Sequence, residues 1–353
     1  MIPGPEEVST GWLTEKLREN GFNCDVTGFT QERIGTGQIG MCIRYQLQLD
    51  GGEGPKSVVG KFASPDPLSS ATGVQLLNYL KEVRFYQLLQ DRVSINTPYC
   101  YFSEIEGEGP VFMLLLEDLA PAIQGDQLTG CDHEVANAAI QELVGLHAPL
   151  WGDPSLDQMP FLGDRKQSAR GASELYQKTF PGFADRFGSD LSADQLEILR
   201  RFGEANEAYR ESVDPSVFTP IHIDYRLDNL LIDESGDRPV VTVVDWQSIT
   251  VGNPLTDVGY FLGAGMLPSQ RREGEEEIVR NYHRNLIAAG IEGYNFDQCW
   301  RDYRRSSFAG FSVTVVASML VQQTVRGDQM FLAMAQRHSQ HAIDMGAEEF
   351  LVP

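Results

Sequence analysis

Alternating apolar and polar positions mark the first third of the chain, and this period of two is typical of half-buried strands. From Ile43 to Leu49 every second residue is apolar, and a turn rich in glycine and proline follows. A second strand is predicted over 57–62, and two more over 100–104 and 111–116. A small antiparallel sheet is therefore expected in this part of the chain.

Helical spacing of apolar residues becomes the main pattern further along. A leading helix is predicted over 7–20, and an amphipathic helix over 76–89 lies among the strands. Beyond a loop-like hinge, helices are predicted at 133–151, 192–212, 273–289, 296–324 and 328–347. Strand-like islands remain only near Leu230 and at 240–244. The predicted class is therefore α+β, with a sheet-rich domain over 1–117 and a larger helical domain over 118–353.

Composition narrows the classes of partner. The 353 residues are 42% hydrophobic and carry a formal net charge of −22. An acidic field of this size repels nucleic acid and anionic membranes, so neither is an expected partner. The five cysteines form no CxxC pair, which argues against zinc or a disulfide framework and suits a reducing compartment. Because neither a signal peptide nor a membrane-spanning run is recognisable, we expect a cytoplasmic protein.

The segment from 221 to 245 carries the strongest chemical signal. His222 and Asp224 are followed five residues later by Asn229, and an apolar strand then leads to Asp245. Phosphoryl transfer from a magnesium–nucleotide needs one carboxylate to orient the attacking hydroxyl, and hard oxygen ligands for the metal. Asp224 is the predicted catalytic residue, and Asn229 and Asp245 are the predicted Mg²⁺ ligands.

Other polar residues near these groups are predicted to be structural. His222 is expected to hydrogen-bond backbone near the metal ligands. Asp228 matches no ligand position and is interpreted as a helix-start or surface charge. Asp257 is expected to be a buried anchor that ties the loop to the next helix.

A glycine-rich motif and a lysine precede this segment. Gly35, Gly37 and Gly40 form a GxGxxG pattern, and a strand rather than a helix follows it. This favours a hairpin that covers the nucleotide phosphates and disfavours a dinucleotide-binding turn. The alternative is an ordinary glycine-rich hairpin with no ligand. Lys61 is predicted to contact phosphate and Glu82 to pair with it. The alternatives are a solvent-exposed edge lysine and a solvated helix carboxylate.

Several motifs together resemble a known superfamily. HIDYRLDN, VVDWQ and GNPLTDVGYF are similar to those of the aminoglycoside phosphotransferase and choline-kinase-like proteins. EVRFYQLL, LLLEDL, GDQLTG, LHAPLW and the C-terminal QRHSQHAIDMGAEEFL resemble the ecdysteroid-kinase-like and bacterial phosphotransferase subgroup. The resemblance extends from about Gly35 to Leu351, and it implies a bilobal, protein-kinase-like fold.

The resemblance also implies an activity: ATP- or GTP-dependent phosphorylation of a small-molecule hydroxyl, with Mg²⁺. By the same motifs, the hinge residues from Glu117 to Leu119 would meet the nucleotide base through their backbone. One departure is Ile223, which stands where this group commonly has glycine.

Two other functions remain as alternatives. A nucleotide-binding module without turnover is disfavoured because the lysine, aspartate and asparagine set is complete. A protein kinase is disfavoured because Asp257 follows Asp245 by only twelve positions, too few for a long activation loop. Trp300, Tyr303, Phe308 and Phe311 are more typical of core packing than of an acceptor pocket. The sequence names neither the acceptor nor the oligomeric state.

Overall fold

Two compact units make up the protein. The computed structural model describes residues 2–35, 37, 39–163 and 168–351. The first unit is built from Met1–Asp91, Thr97–Pro121 and Asp245–Ser248. The second is built from Arg92–Asn96, Ala122–Val244 and Ile249–Pro353.

An antiparallel sheet dominates the first unit. Its strands in the described residues are β1 (Asp25–Ile34), β2 (Gly40–Asp50), β3 (Ser57–Ala63), β4 (Cys100–Ile105) and β5 (Phe112–Glu117). They follow the order β1-β2-β3-β5-β4, with every neighbouring pair antiparallel. The alternation-based strands are confirmed. Strand β1 was not predicted, because it is exposed along most of its length and lacks the alternating apolar pattern.

Helices α1 (Thr10–Glu19), α2 (Pro67–Gln75) and α3 (Asn78–Leu88) complete this unit. The Ser9 Oγ caps α1 by accepting a hydrogen bond from a backbone amide in its first turn, at 3.2 Å. Leu13 and Leu17 of α1 are fully buried and share a hydrophobic core with residues of the sheet. Helix α2 was not predicted, although Asp66 caps it.

The second unit is mainly helical. Its helices are α4 (His133–His147), α5 (Ser168–Phe187), α6 (Ala193–Glu211), α7 (Leu255–Gly265), α8 (Pro268–Ala288), α9 (Phe296–Arg305), α10 (Ala309–Ser312), α11 (Ser318–Leu320) and α12 (Val325–Asp344). Its short strands are β6 (Ile123–Gln124), β7 (Thr219–Ile221), β8 (Leu230–Asp233), β9 (Val240–Val243) and β10 (Thr250–Gly252). They pair as β6-β8-β9 and β10-β7. Helix α5 was missed, since its interior Pro181 weakens the helical pattern.

The single long helix predicted over 296–324 is wrong. Helix α9 ends at Arg305, and a 3₁₀ turn, α10, a π-helical turn over Val313–Ala317 and α11 follow. A Cβ at Gly310 would lie 2.0 Å from Nε2 of His338, so close packing on α12 requires glycine at a helix-weakening position. Phe308 and Phe311 lie in the hydrophobic core of this unit, as their spacing predicted.

Two buried histidines of α12 make folding stability depend on pH. His338 and His341 are both fully buried, and none of their ring nitrogens has a hydrogen-bond partner among the described residues. Burial, with the charge of Arg337 next, lowers the pKa of His338 from an ordinary 6.5 to about 3. Burial likewise lowers the pKa of His341 well below its ordinary value. Below about pH 6.5 the unfolded chain therefore binds protons that the folded chain excludes.

We expect the free energy of unfolding to fall between about pH 6 and pH 4, by roughly 1.4 kcal/mol per pH unit for each of the two rings. Urea denaturation across this range measures the slope. His338→Leu should reduce the slope. An unchanged slope in His338→Leu would contradict the expectation.

Candidate active site

A buried ion cluster lies in the first unit. The Lys61 ammonium on β3 donates to Glu82 Oε1 at 2.6 Å and to Asp245 Oδ1 at 2.9 Å. Lys61 is 7% exposed and Glu82 only 1% exposed, so the alternatives of an exposed lysine and a solvated carboxylate are wrong. We call Lys61, Glu82 and Asp245 the lysine cluster.

Charge and burial compete within the lysine cluster. Burial by itself would lower the pKa of Lys61, but the charges of Asp245 and Glu82 outweigh it and raise that pKa well above its ordinary value. Burial raises the pKa of Glu82, against the opposing effect of Lys61. The lysine therefore stays charged, held by two carboxylates in a poorly solvated position.

Aromatic packing brings Asp245 to the lysine. The next residue, Trp246, stacks on Phe85 of α3 with ring centroids 3.8 Å apart and planes within 8°. Its indole Nε1 donates to Thr97 Oγ1 at 2.9 Å. Helix α3 thus carries both Glu82 and the ring on which Trp246 rests. The backbone of Asp245 has a φ of +69°, a conformation that non-glycine residues rarely adopt.

The predicted glycines lie at the start of β2. Gly35 has a φ of +73°, which glycine adopts without strain. Gly40 lies against the lysine cluster, since a Cβ there would be 3.1 Å from Lys61 Cε. Gly37 is exposed. Thr36 and Gln38 of the motif lie outside the described residues.

The hinge is fixed by a side chain that the sequence did not single out. Asp118 lies between Glu117 and Leu119, and Arg44 binds its carboxylate through Nε at 2.6 Å and Nη2 at 3.0 Å. Ser57 Oγ donates to the same carboxylate at 2.6 Å. Glu117 itself is exposed at the end of β5, and Leu119 is partly buried. The hinge backbone is thereby tied to β2 and β3.

The Asp224 carboxylate, in the second unit, accepts hydrogen bonds on both oxygens. Tyr260 Oη donates to Oδ1 at 2.8 Å, and Arg226 Nε donates to the same oxygen at 3.0 Å. Asn229 Nδ2 donates to Oδ2 at 3.0 Å and to the Asp224 carbonyl at 2.8 Å. The two predicted residues, Asp224 and Asn229, are thus in contact. The contacts of Tyr260 and Arg226 with Asp224 were not predicted from the sequence. The one available signal was that Arg226 lies two residues after Asp224, a spacing that lets the two side chains meet.

Asp228 is not a surface charge. It is 6% exposed, and its Oδ1 accepts a hydrogen bond from the backbone N–H of Gln127 at 3.1 Å. Arg226 Nη1 donates to its Oδ2 at 2.8 Å, and Arg326 Nη2 donates to its Oδ1 at 3.1 Å. Asp228 therefore holds Arg226 beside Asp224, a role that required the tertiary structure to be seen.

The prediction that Asp257 is a buried anchor is confirmed. It is fully buried on α7, and its carboxylate accepts from the amides of His222 at 2.7 Å and Ile223 at 2.9 Å. His222 Nε2 lies 3.1 Å from the Val244 carbonyl oxygen, in agreement with its predicted structural role. The loop is thus held by its backbone, with Ile223 at a φ of +71°.

Oxygen ligands for a hard cation are available at the predicted positions. The Asn229 amide nitrogen is committed to Asp224, which leaves its carbonyl oxygen as the atom for a metal. The backbone N–H of Val244 donates to the backbone carbonyl oxygen of Asn229 at 3.0 Å, and Asp245 is the next residue along the chain. Within the described ranges, no group of three or more His, Cys, Asp or Glu residues could hold a metal. An amide oxygen and a carboxylate fit Mg²⁺, which takes few protein ligands beside phosphate and water oxygens.

Known proteins share the family and the fold of this chain. The family model APH, described as the phosphotransferase enzyme family, matches residues 44–304, and the chain belongs to this family. The fold is similar to that of choline kinase from Cryptosporidium parvum, with a TM-score of 0.56, 9% identity and 98% of each chain covered. It is also similar to the GDP and kanamycin complex of an APH(2″) enzyme, with a TM-score of 0.51 and 14% identity over 82% of this chain and 86% of the other. The predicted kinase-like α+β fold is confirmed.

A further relative is known from its sequence. Acyl-CoA dehydrogenase family member 10 of Mus musculus is 32% identical over 101 residues. The match covers 24% of this chain and 9% of the mouse protein. In the portion of the chain that the structure describes, no helix is both long and apolar enough to cross a membrane.

Substitution of Ile223 tests directly whether the backbone is strained in the loop that carries Asp224. The left-handed conformation costs a residue with a Cβ roughly 1–2 kcal/mol, which glycine avoids. We therefore expect Ile223→Gly to be more stable than Ile223→Ala by about 1 kcal/mol in urea denaturation. At Val240, an exposed position of β9, the order should reverse, with Ala above Gly by about 0.5–1 kcal/mol. Ala more stable than Gly at both positions would contradict this account.

Proposed function

We propose that this chain transfers the γ-phosphoryl group of ATP or GTP to a hydroxyl group of a small molecule, with Mg²⁺ as cofactor. The observation that carries the proposal is the lysine cluster. A buried ammonium shared by two carboxylates costs solvation energy, which a hydrophobic replacement would avoid. This cost is accounted for if the Lys61 ammonium contacts phosphate oxygens when the nucleotide binds and Glu82 fixes the position of the ammonium.

Asp224 is the proposed catalytic residue. In the reaction, the acceptor hydroxyl oxygen forms a bond to the γ-phosphorus, the bond from that phosphorus to the nucleoside diphosphate oxygen breaks, and the diphosphate leaves. The hydroxyl proton passes to the Asp224 carboxylate. Three hydrogen-bond donors hold this carboxylate, so its main contribution is to orient the hydroxyl rather than to act as a strong base.

Asn229 and Asp245 are the proposed metal ligands. When bound, Mg²⁺ would supply positive charge against the phosphate oxygens. Asn229 also donates to Asp224, so it would link the ligand set to the catalytic carboxylate. Asp245 also accepts from Lys61, which would keep the lysine and the metal ligand in a fixed relation.

The remaining nucleotide contacts are proposed for the sheet-rich unit. Gly35, Gly37 and Gly40 would let the backbone approach phosphate, and the tight packing of Gly40 against Lys61 supports this. Glu117 and Leu119 would meet the base through backbone groups, on a hinge that Asp118 keeps in place.

A small molecule is the proposed acceptor. Residues between Asp245 and Asp257 form a 3₁₀ turn, strand β10 and the start of α7, which leaves no long loop there for a peptide. The net charge of −22 argues against nucleic acid and favours a neutral or cationic alcohol, in a cytoplasmic setting. A protein kinase and a module without turnover remain the competing functions.

Magnesium and nucleotide should stabilise the protein together more than either does alone. At a ligand concentration of one hundred times the dissociation constant, the gain is roughly 2.7 kcal/mol. Calorimetry and thermal unfolding with ATP or GTP, with and without Mg²⁺, measure it. Absence of nucleotide binding in every combination would refute the proposed function.

Asp245→Ala and Asp224→Ala should fail in different ways. Loss of Asp245 should weaken magnesium–nucleotide binding as well as turnover. Loss of Asp224 should spare nucleotide affinity and lower turnover by about 10²–10⁴-fold. Asp237→Ala, at an exposed loop position, is the matched control and should change neither. Equal losses of nucleotide affinity in both variants would show that the roles are misassigned.

The acceptor class is tested with labelled nucleotide. Transfer of the γ-phosphoryl group is measured to a library of small alcohols, including aminoglycosides, amino alcohols and hydroxylated acyl compounds, beside a peptide set. We expect transfer to an alcohol and none to peptides. Transfer to peptides alone would favour a protein kinase, and nucleotide binding without any transfer would favour the module without turnover.

A further inference from the structure

A buried phenol lies against the proposed catalytic carboxylate. Tyr260 is 1% exposed on α7, and its hydroxyl donates to Asp224 Oδ1 at 2.8 Å. Asp257, one helical turn earlier on the same helix, accepts from the amides of His222 and Ile223. Helix α7 therefore holds the loop twice, once by its backbone and once by the carboxylate itself.

The hydrogen bonds distinguish the two oxygens of Asp224. Oδ1 accepts from both Tyr260 and Arg226, whereas Oδ2 accepts from Asn229 alone among the described contacts. A carboxylate oxygen has two lone-pair positions, so Oδ1 is filled and Oδ2 retains one position. The Asp224 side chain is 21% exposed, so the carboxylate is not sealed from a ligand.

Packing keeps the phenol in place. The His338 ring on α12 lies 5.2 Å from the Tyr260 ring, centroid to centroid. His338 is confined in turn, because a Cβ at Gly310 or Gly263 would lie 2.0 or 2.6 Å from its ring nitrogens. Burial also raises the pKa of Tyr260 well above its ordinary value, with the charge of Asp224 next among the causes, so the phenol remains a donor.

We propose that Tyr260 is a positioning residue of the phosphoryl-transfer reaction: with Arg226 it occupies Oδ1 of Asp224 and directs Oδ2 at the acceptor hydroxyl. This rests on the proposed function of Asp224. Without the phenol, Arg226 Nε alone would restrain Oδ1, and the carboxylate could rotate. The charged groups around this carboxylate are Arg226, its partner Asp228 and, beyond it on α12, Arg326.

The main test is Tyr260→Phe, with Tyr176→Phe as the matched control. Tyr176 is also fully buried in this unit, and its hydroxyl donates to the Leu199 carbonyl at 2.9 Å, away from the loop. Turnover of γ-labelled ATP is measured with Mg²⁺, with water as the acceptor and with any alcohol found to accept. We expect kcat to fall about 10–100-fold in Tyr260→Phe, because the substitution removes a hydrogen bond to a charged group. The KM for ATP should stay within about threefold of that of the unmodified protein. Tyr176→Phe should remain within about threefold of the unmodified protein in both constants.

A double-mutant cycle separates positioning from a general structural effect. If Tyr260 acts through Asp224, Tyr260→Phe should have less than about a twofold effect on turnover when Asp224→Asn is already present. The same fold loss in both backgrounds, or no difference from Tyr176→Phe, would overturn the proposal.

A second readout does not depend on turnover. In protein labelled with ¹³C at the aspartate carboxyl carbon, the Asp224 signal is assigned by its absence in Asp224→Asn, and its chemical shift is measured by NMR at neutral pH. The chemical shift should change in Tyr260→Phe, which loses the donor to Oδ1, and stay in place in Tyr176→Phe; equal behaviour in both would overturn the proposal. Should the unmodified protein show no nucleotide turnover, the proposed function fails, and this comparison still decides whether Tyr260 controls Asp224.

Site-specific replacement of Tyr260 by 3-fluorotyrosine serves if Tyr260→Phe does not fold. The fluorinated phenol keeps the size of the ring and is a stronger donor. The Asp224 ¹³C signal should then move in the direction opposite to that in the Phe variant, because the hydrogen bond to Oδ1 becomes stronger instead of being lost. A signal that does not move would overturn the proposal.

Discussion

The loop that carries Asp224 depends on one constraint, the buried carboxylate of Asp257. This carboxylate accepts hydrogen bonds from the backbone amides of His222 and Ile223. An ionised carboxylate buried without partners would be costly, and two short N–H donors supply the compensation. The bonds fix the backbone where Ile223 adopts a left-handed conformation. Asp224 follows immediately, so its backbone is positioned by contacts made one and two residues earlier. Such strain persists only where the surrounding structure over-determines the backbone.

The second left-handed residue of functional interest is Asp245. Here an aromatic contact takes the place of the buried carboxylate, because Trp246 stacks on Phe85 and fixes the chain just after the turn. Leu77, at the start of α3, is the other non-glycine residue with positive φ in the described chain. The strained backbone at Ile223 and Asp245 therefore lies at the groups proposed to hold the acceptor, the metal and the phosphate. Unusual backbone conformations generally cluster at functional sites in this way.

Each proposed functional group has a partner that limits its motion. Lys61 is held by Glu82 and Asp245, and Asp224 by Arg226, Asn229 and Tyr260. Preorganised charges of this kind need little rearrangement when charge is redistributed during transfer, which is the main catalytic resource for phosphoryl transfer. A module that only bound nucleotide would have no need of the second group, since the role proposed for Asp224 and its partners is toward the acceptor hydroxyl. This favours an enzyme over the module without turnover.

The sequence by itself determined the α+β class, most helices and strands with ordinary periodicity, and the order of the candidate functional residues from Gly35 to Asp245. These follow from local rules: apolar period, capping residues, and a spacing of polar groups that phosphoryl transfer requires. Helix α5 and strand β1 escaped those rules, one through Pro181 and one through its exposure. The tertiary structure alone decided that Glu82 and Asp228 are buried, that Gly310 must be glycine beside His338, and that Tyr260 reaches Asp224. The physical reason is that the contacts in these cases join residues 21 to 101 positions apart along the chain, where no local pattern records them.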